Sequence, residues 1–235
     1  MKRLSIFGST GSIGVNTLNV LRELDDDFSI KYLTAHSNAN LLIKQAKEFY
    51  PEAVVIVDKE KSKLVKNELI DLGIKVMDGR EGLLECAEDT DVDIIMNGLV
   101  GSAGMEPTYR AIRSGVDVAL SNKESLVMAG DLINKEKDRS GATIYPVDSE
   151  HSAIWQCLSG ETMNDVRKII LTGSGGPFRN RNIDSYKNIT PDEALNHPNW
   201  EMGKKITIDS ASMMNKGLEV IETFWLFNME PNEIE

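Results

Sequence analysis

The chain has 235 residues, 41% of them hydrophobic, which is enough for one large or two modest domains with apolar cores. A formal net charge of −11 argues against nucleic acid as a partner, so any anionic ligand must be bound by local donors. The two cysteines, Cys86 and Cys157, are too few for a disulfide framework and indicate reduced thiols in a cytoplasmic protein. The first apolar run is too short for a signal peptide, and none reaches membrane-spanning length. We therefore expect a soluble protein that is not exported and has no membrane partner.

Short apolar runs alternate with helix-period segments along roughly the first 145 residues. The predicted strands are Leu4–Phe7, Ile30–Thr34, Ala53–Val57, Lys75–Met77, Ile94–Met96, Val116–Leu120 and Thr143–Tyr145. Helices are predicted near residues 12–24, 40–49, 60–72, 80–87, 105–114 and 123–138. Because the strands are continuously apolar and each is followed by a helix, they indicate a doubly wound parallel sheet, a Rossmann-like α/β fold. Ligands of such folds bind at the carboxyl ends of the strands.

The pattern changes after about residue 147, which predicts two domains, residues 1–147 and residues 148–235. We expect the second domain to be of α+β type. Its predicted elements are a helix near 152–158, a strand at Val166–Thr172, a β-like run at Lys205–Ile208 and a helix that starts at Asp209 and Ser210.

A glycine-rich turn follows the first predicted strand. Gly8, Gly11 and Gly14 have the spacing Gly-x-x-Gly-x-x-Gly, which allows a tight turn and close approach of a pyrophosphate to the next helix. The alternative is a turn that binds nothing, but its place in the first strand–helix connection favours a dinucleotide site. The second strand ends at Ala35-His36-Ser37-Asn38, with no carboxylate to repel a 2′-phosphate, so NADP(H) is favoured over NAD(H).

Two carboxylates follow the last strand of the first domain. Asp148 and Glu150 alternate on an extended segment and so point the same way, and Glu219 is a third candidate ligand. Three oxygen donors suit a hard divalent cation such as Mg²⁺ or Mn²⁺. An alternative stays open for Asp148 and Glu150, namely that they simply cap the next helix. His151 could be a fourth ligand, and the alternatives for it are an ordinary surface residue or a residue that supports the ligands from behind.

Donors for a phosphate group are concentrated in the second domain. Thr172–Phe178 joins a strand to a glycine-rich turn, a natural nest of backbone amides. Further along, Asn215 and Glu219 lie four residues apart and share one helix face, with Lys216 beside them. The side-chain donors suited to a terminal phosphate are Ser174, Ser210, Asn215 and Lys216. Each also has a turn or capping explanation, and Ser210 is expected to cap the helix that starts near it.

The tripeptide Asn122-Lys123-Glu124 follows the predicted strand Val116–Leu120. Doubly wound folds expose functional residues at this end of a strand, so Lys123 is a candidate for contact with a ligand. The alternative is that Lys123 is a solvated charge at the start of a helix.

Six blocks of this sequence resemble one family, the 1-deoxy-D-xylulose 5-phosphate reductoisomerases of the non-mevalonate isoprenoid pathway. The blocks are GSTGSIG (8–14), ALSNKESLV (119–127), PVDSEH (146–151), LTGSGGPF (171–178), HPNWEMG (197–203) and DSASMMNKGLE (209–219). They occur in the family's order along the whole chain. The resemblance implies an enzyme that uses NADPH and a divalent cation (Mn²⁺, Mg²⁺ or Co²⁺) to convert 1-deoxy-D-xylulose 5-phosphate into 2-C-methyl-D-erythritol 4-phosphate.

The resemblance also implies roles for individual residues. The residues expected to bind NADPH, besides the donors His36 and Ser37 described above, are Thr10, Gly11, Ser12, Ile13, Asn38, Asn122, Glu124, Met202 and Gly203. The implied metal ligands are Asp148, Glu150 and Glu219. The implied substrate contacts are Lys123, Ser149, Glu150, Ser174, His197, Ser210, Asn215, Lys216 and Glu219. Trp200 and Met202 match the flap that closes over substrate and nicotinamide.

The sequence departs from the family in two ways. His36 stands where members usually have a glycine, which bears on the contact with the 2′-phosphate. Members also continue beyond Glu235, with strands that build a dimer interface and a C-terminal helical domain. The catalytic domain is therefore expected to be incomplete here, and the homodimer of the full-length family is left open for this chain. The alternatives are a simple NADP-dependent dehydrogenase with Lys123 or His197 as its acid, and a non-catalytic NADPH-binding fragment.

Overall fold

The computed structural model describes residues 1–24, 28–198 and 203–235. Two compact units make up the chain, Met1–Asp148 and Ser149–Glu235. Across the described ranges, no helix combines the length and the apolarity that crossing a bilayer requires.

Seven strands and six α-helices alternate in the described residues of the first unit, 1–24 and 28–148. The strands are β1 (Lys2–Phe7), β2 (Phe28–Ala35), β3 (Ala53–Ile56), β4 (Lys75–Asp78), β5 (Ile94–Asn97), β6 (Asp117–Leu120) and β7 (Ile144–Pro146). The helices are α1 (Ser12–Glu23), α2 (Ala39–Phe49), α3 (Lys59–Leu69), α4 (Gly79–Ala87), α5 (Met105–Ser114) and α6 (Lys123–Ser140). Every predicted strand and helix of this unit is confirmed, with ends displaced by at most two residues, except that α3 ends at Leu69 and Ile70–Leu72 of the predicted helix form a 3₁₀ turn.

The strands form one fully parallel sheet in the order β4-β3-β2-β1-β5-β6-β7. The predicted doubly wound fold is therefore confirmed. All four residues of β3 are buried, and Ile6, Leu33 and Ile56 belong to a core that the sheet shares with its helices. The strand order reverses between β1 and β5, and ligands of open α/β sheets bind in the crevice at such a point.

The second unit consists mainly of helices in its described part. They are α7 (Ser149–Leu158), α8 (Pro191–Leu195), α9 (Lys204–Ala211) and α10 (Met214–Phe227). The predicted strand at Val166–Thr172 is wrong. In the described structure this run forms a single bridge, Ile169 with Ile234, because its backbone meets only the short segment 233–235 and not a full strand.

The predicted β-like run at Lys205–Ile208 is also wrong, since it lies within α9. Thr207 and Ala211 are both buried four residues apart, which is the helical period, and Lys205 pairs with Asp209 at the same spacing. The β-branched side chains of this run favour a strand only weakly, and burial of one helix face outweighs that preference. Consequently Asp209 and Ser210 do not start a helix, and Ser210 does not cap one. The next helix, α10, begins after Met213, whose backbone is left-handed (φ 61°).

Candidate functional site

The turn between β1 and α1 is built on glycines. Gly8 has a left-handed backbone (φ 78°), and Gly11 N donates to Gly8 O at 2.9 Å. A Cβ on Gly14 would lie 2.4 Å from both Gly8 O and Ser9 Cα, so the first turn of α1 packs directly on the loop. This close packing needs glycine at position 14, and it brings the start of the helix next to the loop.

Buried hydrogen bonds fix this loop to its neighbours. Ser9 N and Gly8 N donate to Thr34 on β2, to its carbonyl oxygen at 2.8 Å and its hydroxyl at 3.0 Å. Gln45 of α2 donates from Nε2 to Ser9 O at 2.8 Å and accepts from Ser9 Oγ at 2.8 Å. Sequence reasoning missed Gln45. The available signal was a polar residue between Leu42 and Ala46 on the buried face of an amphipathic helix.

The start of α1 is suited to an anion. Gly11 is its N-cap residue, and no described side chain makes a capping hydrogen bond there. Gly11 and Ser12 are exposed, while Thr10 and Ile13 are half-buried. The backbone amides of the first turn, together with the helix dipole, therefore offer a site for a phosphate group at the carboxyl end of β1.

The segment after β2 is exposed at His36, Ser37 and Asn38. Asn38 is the N-cap of α2, because its Oδ1 accepts from Leu41 N at 3.2 Å. Asp58 is held close by, since its backbone N donates to His36 O at 2.7 Å, but its carboxylate caps α3 through Glu60 N. The donors at positions 36 and 37 are thus accessible.

Asn122 is a buried connector at the carboxyl end of β6. Its Nδ2 donates to Leu99 O and Gly101 O, both at 2.9 Å, and to Glu124 Oε2 at 3.1 Å. Its Oδ1 accepts from Ser125 N and so caps α6. These bonds give Asn122 a structural role that joins the loop after β5 to the start of α6.

Lys123 forms an ion pair with Asp148 inside the first unit. Only 6% of the lysine side chain and 12% of the aspartate side chain are exposed. The strands β6 and β7 are parallel neighbours, so the residues that follow them meet at one edge of the sheet. The alternative that Lys123 is a solvated charge is therefore wrong.

A second charged cluster lies within the second unit, between α7 and α10. Lys216 Nζ donates to Glu150 Oε1 at 3.1 Å, to Glu219 Oε2 and to Thr172 O. Asn215 Nδ2 donates to the other oxygen of Glu219. Two carboxylates, an amide and an ammonium thus form one network, in which the four-residue spacing predicts the bond between Asn215 and Glu219.

The network keeps Glu150 ionised. Burial would raise the pKa of Glu150, but the hydrogen bond from Ser149 at 2.6 Å and the charge of Lys216 outweigh it and lower the pKa to about 2. Glu219 is fully buried on α10. Two carboxylates of this kind offer hard oxygen donors, the chemistry that Mg²⁺ and Mn²⁺ prefer.

A glycine-rich loop, residues 173–176, lies beside this network. Gly175 and Gly176 are left-handed, and a Cβ on Gly176 would lie 2.5 Å from Ser210 O, so the loop is pressed against α9. Ser174 Oγ lies 3.1 Å from His197 Nε2 and accepts from Gly176 N at 3.2 Å. The structure therefore brings Ser174, Ser210 and His197 into one region of the unit.

These elements surround an open pocket in the second unit. Its lining residues are Glu150, Gly173, Ser174, Gly175, Ser210, Met213, Asn215 and Lys216. The pocket lies at the start of α10, where no described side chain caps the helix. Hydroxyl, amide and ammonium donors at a helix N-terminus suit a phosphate group.

His151 is fully buried behind the cluster, so the surface alternative for it is wrong. Its Nε2 lies 3.0 Å from Glu219 O and 2.9 Å from Thr223 Oγ1, and its Nδ1 lies 3.3 Å from Glu222 Oε2. Sequence reasoning missed Glu222, although its position three residues after Glu219 places it on the same side of α10.

The predicted flap residues precede α9. Trp200 and Met202 lie outside the described residues. Gly203, which follows them, is exposed and is the N-cap residue of α9, where its carbonyl oxygen accepts from Thr207 N at 3.1 Å and from the Thr207 hydroxyl at 2.9 Å.

Family models match most of the chain. The model of 1-deoxy-D-xylulose 5-phosphate reductoisomerase matches residues 4–130, and that of the C-terminal domain of the same family matches residues 144–227. The 1-deoxy-D-xylulose 5-phosphate reductoisomerase of Bacteroides fragilis is 51% identical over 234 residues, and that of Chloroherpeton thalassium is 50% identical over 235 residues. Both alignments cover 100% of this chain but only 60% and 61% of the relative.

Solved structures agree with these matches. A crystal structure of DOX-P reductoisomerase in complex with NADPH, fosmidomycin and magnesium superposes with a TM-score of 0.93 and 41% identity. The reductoisomerase of Zymomonas mobilis in complex with NADPH superposes with a TM-score of 0.92 and 40% identity. Each superposition covers 100% of this chain and 60% of the chain in the solved structure. The chain therefore belongs to the 1-deoxy-D-xylulose 5-phosphate reductoisomerase family.

Proposed function

We propose that this chain carries the cofactor, metal and substrate residues of a reductoisomerase that converts 1-deoxy-D-xylulose 5-phosphate into 2-C-methyl-D-erythritol 4-phosphate. The observation that supports this most is the cluster of Glu150, Lys216 and Glu219 beside a pocket with donors suited to phosphate. A dehydrogenase that only transfers hydride has no need of such a cluster. A sugar-phosphate rearrangement that depends on a divalent cation uses both a cation site and a phosphate site.

The first unit supplies most of the residues that would bind NADPH in this proposal. The packing of α1 on the glycine turn places the backbone amides of the first helical turn next to the loop, and these amides provide a cradle for the pyrophosphate. The residues that would hold the cofactor are Thr10, Gly11, Ser12, Ile13, His36, Ser37, Asn38, Asn122, Glu124, Met202 and Gly203. His36 and Ser37 are exposed donors with no carboxylate among their immediate neighbours in sequence, which supports recognition of a 2′-phosphate.

A divalent cation, Mn²⁺ or Mg²⁺, would be held by Asp148, Glu150 and Glu219. The donor set fits such an ion, because all three residues supply hard carboxylate oxygens. When bound, the cation supplies Lewis-acid polarisation of the substrate oxygens and NADPH supplies the hydride. Lys123, already charged and paired with Asp148, would stabilise negative charge that develops on a substrate oxygen.

The remaining residues bind and enclose the substrate. Ser174, Ser210, Asn215 and Lys216 line the pocket and would bind the phosphate, with Ser149 and His197 close to the same network. Binding energy from a phosphate far from the reacting carbons can support closure of a loop over the site. The family resemblance supports a flap with Trp200, a residue outside the described ones, that would exclude water from the reacting fragments.

Location and assembly are parts of the same proposal. Both cysteines are free thiols, which supports a cytoplasmic location. The family resemblance supports a homodimer, and sedimentation of the purified chain measures that state directly.

Turnover assays with chelator test the proposal. We expect the chain to oxidise NADPH in the presence of 1-deoxy-D-xylulose 5-phosphate and Mn²⁺, to stop when EDTA is added, and to recover when Mn²⁺ is restored. Glu219→Gln should lose this turnover while NADPH affinity, followed by fluorescence, stays within about twofold. The exposed Glu161→Gln is the matched control.

Each other outcome points to a different function. Turnover that EDTA does not affect would indicate a metal-independent dehydrogenase. NADPH binding without turnover would indicate a binding role for these 235 residues.

A further inference from the structure

We infer that Lys216 couples binding of the divalent cation to binding of the phosphate. Its ammonium holds Glu150 and Glu219 together in the absence of a cation, and it turns to the phosphate only after a cation takes over the two carboxylates. This inference rests on the proposed function, because it concerns the metal and phosphate sites named there.

The donors of Lys216 are fully committed in the structure. An ammonium has three N–H groups, and Lys216 Nζ has three acceptors: Glu150 Oε1 at 3.1 Å, Glu219 Oε2 and Thr172 O. No donor is left over for a phosphate oxygen. A phosphate that binds Lys216 must therefore replace at least one of these acceptors.

The two carboxylates require a positive charge between them. The side chain of Glu219 is 1% exposed and that of Glu150 is 22% exposed, so neither is fully screened by water. A buried carboxylate without a compensating charge is strongly destabilised. Lys216 provides the compensating charge, and a divalent cation that binds Glu150 and Glu219 would compete with this ammonium for the same two carboxylates.

The lysine can reach the pocket without leaving its helix. Lys216 lines the pocket together with Ser174, Ser210 and Asn215. Its stem passes over Gly173, where a Cβ would lie 2.8 Å from Lys216 Cε, so the glycine keeps this path open. The same side chain thus lies between the carboxylates and the phosphate donors, and a small rotation would exchange one set of partners for the other.

The exchange predicts reciprocal binding effects. If a cation frees Lys216 for phosphate, then phosphate must tighten cation binding by the same factor. Couplings between sites of this kind are typically 5–150-fold. Removing the ammonium should both relieve its competition with the cation and abolish most of the coupling.

Mn²⁺ binding to the full chain tests this, with free Mn²⁺ measured by electron paramagnetic resonance and methyl phosphate as the phosphate probe. In the wild type we expect methyl phosphate to lower the Mn²⁺ dissociation constant about tenfold. In the absence of methyl phosphate, we expect Lys216→Met to bind Mn²⁺ more tightly than the wild type does. Adding methyl phosphate should change the Mn²⁺ affinity of this variant less than twofold. Lys168→Met, which breaks an ion pair with Glu235 elsewhere in the unit, should behave as the wild type.

Three results would overturn the inference. If methyl phosphate has no effect on Mn²⁺ binding by the wild type, the coupling is absent whether or not Lys216→Met folds. If Lys216→Met keeps the wild-type response, Lys216 is not the coupling residue. If the wild type binds no Mn²⁺ at all, the metal site of the proposed function is wrong as well.

Discussion

His151 on α7 and Glu222 on α10 face each other with both side chains fully buried, Nδ1 lying 3.3 Å from Oε2. The hydrogen bonds of the other ring nitrogen, Nε2, show that this nitrogen carries a proton. Thr223 Oγ1 donates to Glu219 O at 2.8 Å, so His151 Nε2, which lies within 3.0 Å of both oxygens, must be a donor. Nδ1 then faces the carboxylate, and the pair joins the helices that carry Glu150 and Glu219.

Glu222→Leu should destabilise the protein by about 1–3 kcal/mol, because it removes the carboxylate oxygen that lies 3.3 Å from the buried Nδ1 of His151 and places an apolar side chain there instead. Urea unfolding followed by circular dichroism measures the loss. The double variant His151→Phe/Glu222→Leu should recover most of it, since apolar side chains of similar volume often replace a buried pair at little cost. Equal stability of the wild type and Glu222→Leu would show that the pair contributes nothing.

Gln45→Met should weaken NADPH binding about tenfold. The variant keeps the volume of the side chain but removes both hydrogen bonds to Ser9, which hold the glycine turn against α2. A buried carbonyl that loses its donor destabilises the structure around it by about 1–3 kcal/mol. A tenfold weakening of NADPH binding means that about 1.4 kcal/mol of this cost falls on the loop conformation that binds NADPH. Fluorescence titration with NADPH measures the change.

Mn²⁺ affinity should stay unchanged in Gln45→Met, since the residue belongs to the first unit and acts on the nucleotide loop alone. Gln156→Met, on the exposed face of α7, is the control for the substitution itself. NADPH affinity equal to that of the wild type would remove Gln45 from any role in positioning the loop.

Gly14→Ala and Gly217→Ala should change stability in opposite directions. At position 14 the new methyl group would lie 2.4 Å from backbone atoms of Gly8 and Ser9, so the loop or the helix must move, at a cost of about 1–3 kcal/mol or more. At position 217, inside α10, nothing lies within 4 Å of the added carbon. Alanine there should stabilise the helix by about 0.5–1 kcal/mol. Thermal unfolding of the two variants side by side measures both signs, and a stable Gly14→Ala would mean that α1 does not pack on the turn as described.

The sheet could be predicted from the sequence because its strands carry their own signal. The run Ala53–Ile56 is apolar at every position, as a strand covered on both faces must be, and the structure buries all four residues. The run Lys205–Ile208 has β-branched residues but no such cover. The segment that contains this run is helical because the spacing of the buried Thr207 and Ala211 matches the period of a helix with one buried face.

The site was predictable where its residues lie close in sequence. Asn215 and Glu219 share a helix face by spacing alone, and the structure joins them by a hydrogen bond. The bond between Lys216 and Glu150 links positions 66 residues apart, so it depends on how α7 packs against α10. Periodicity within one element holds no information about which charges meet across two elements, and the same limit hid the contact of Gln45 with Ser9.

The two cysteines should react at very different rates with an alkylating reagent. Burial raises the pKa of the Cys86 thiol to about 12, so at pH 8 only roughly 1 in 10,000 molecules carries the reactive thiolate. Cys157 is exposed on α7. Iodoacetamide followed by mass spectrometry of tryptic peptides should therefore label Cys157 in the folded protein and Cys86 only after unfolding in guanidinium. Cys157→Ser is the control, and the folded protein of this variant should take up no label. Rapid labelling of Cys86 in this variant would mean that α4 opens readily and that the burial which raises the pKa of Cys86 is not maintained in solution.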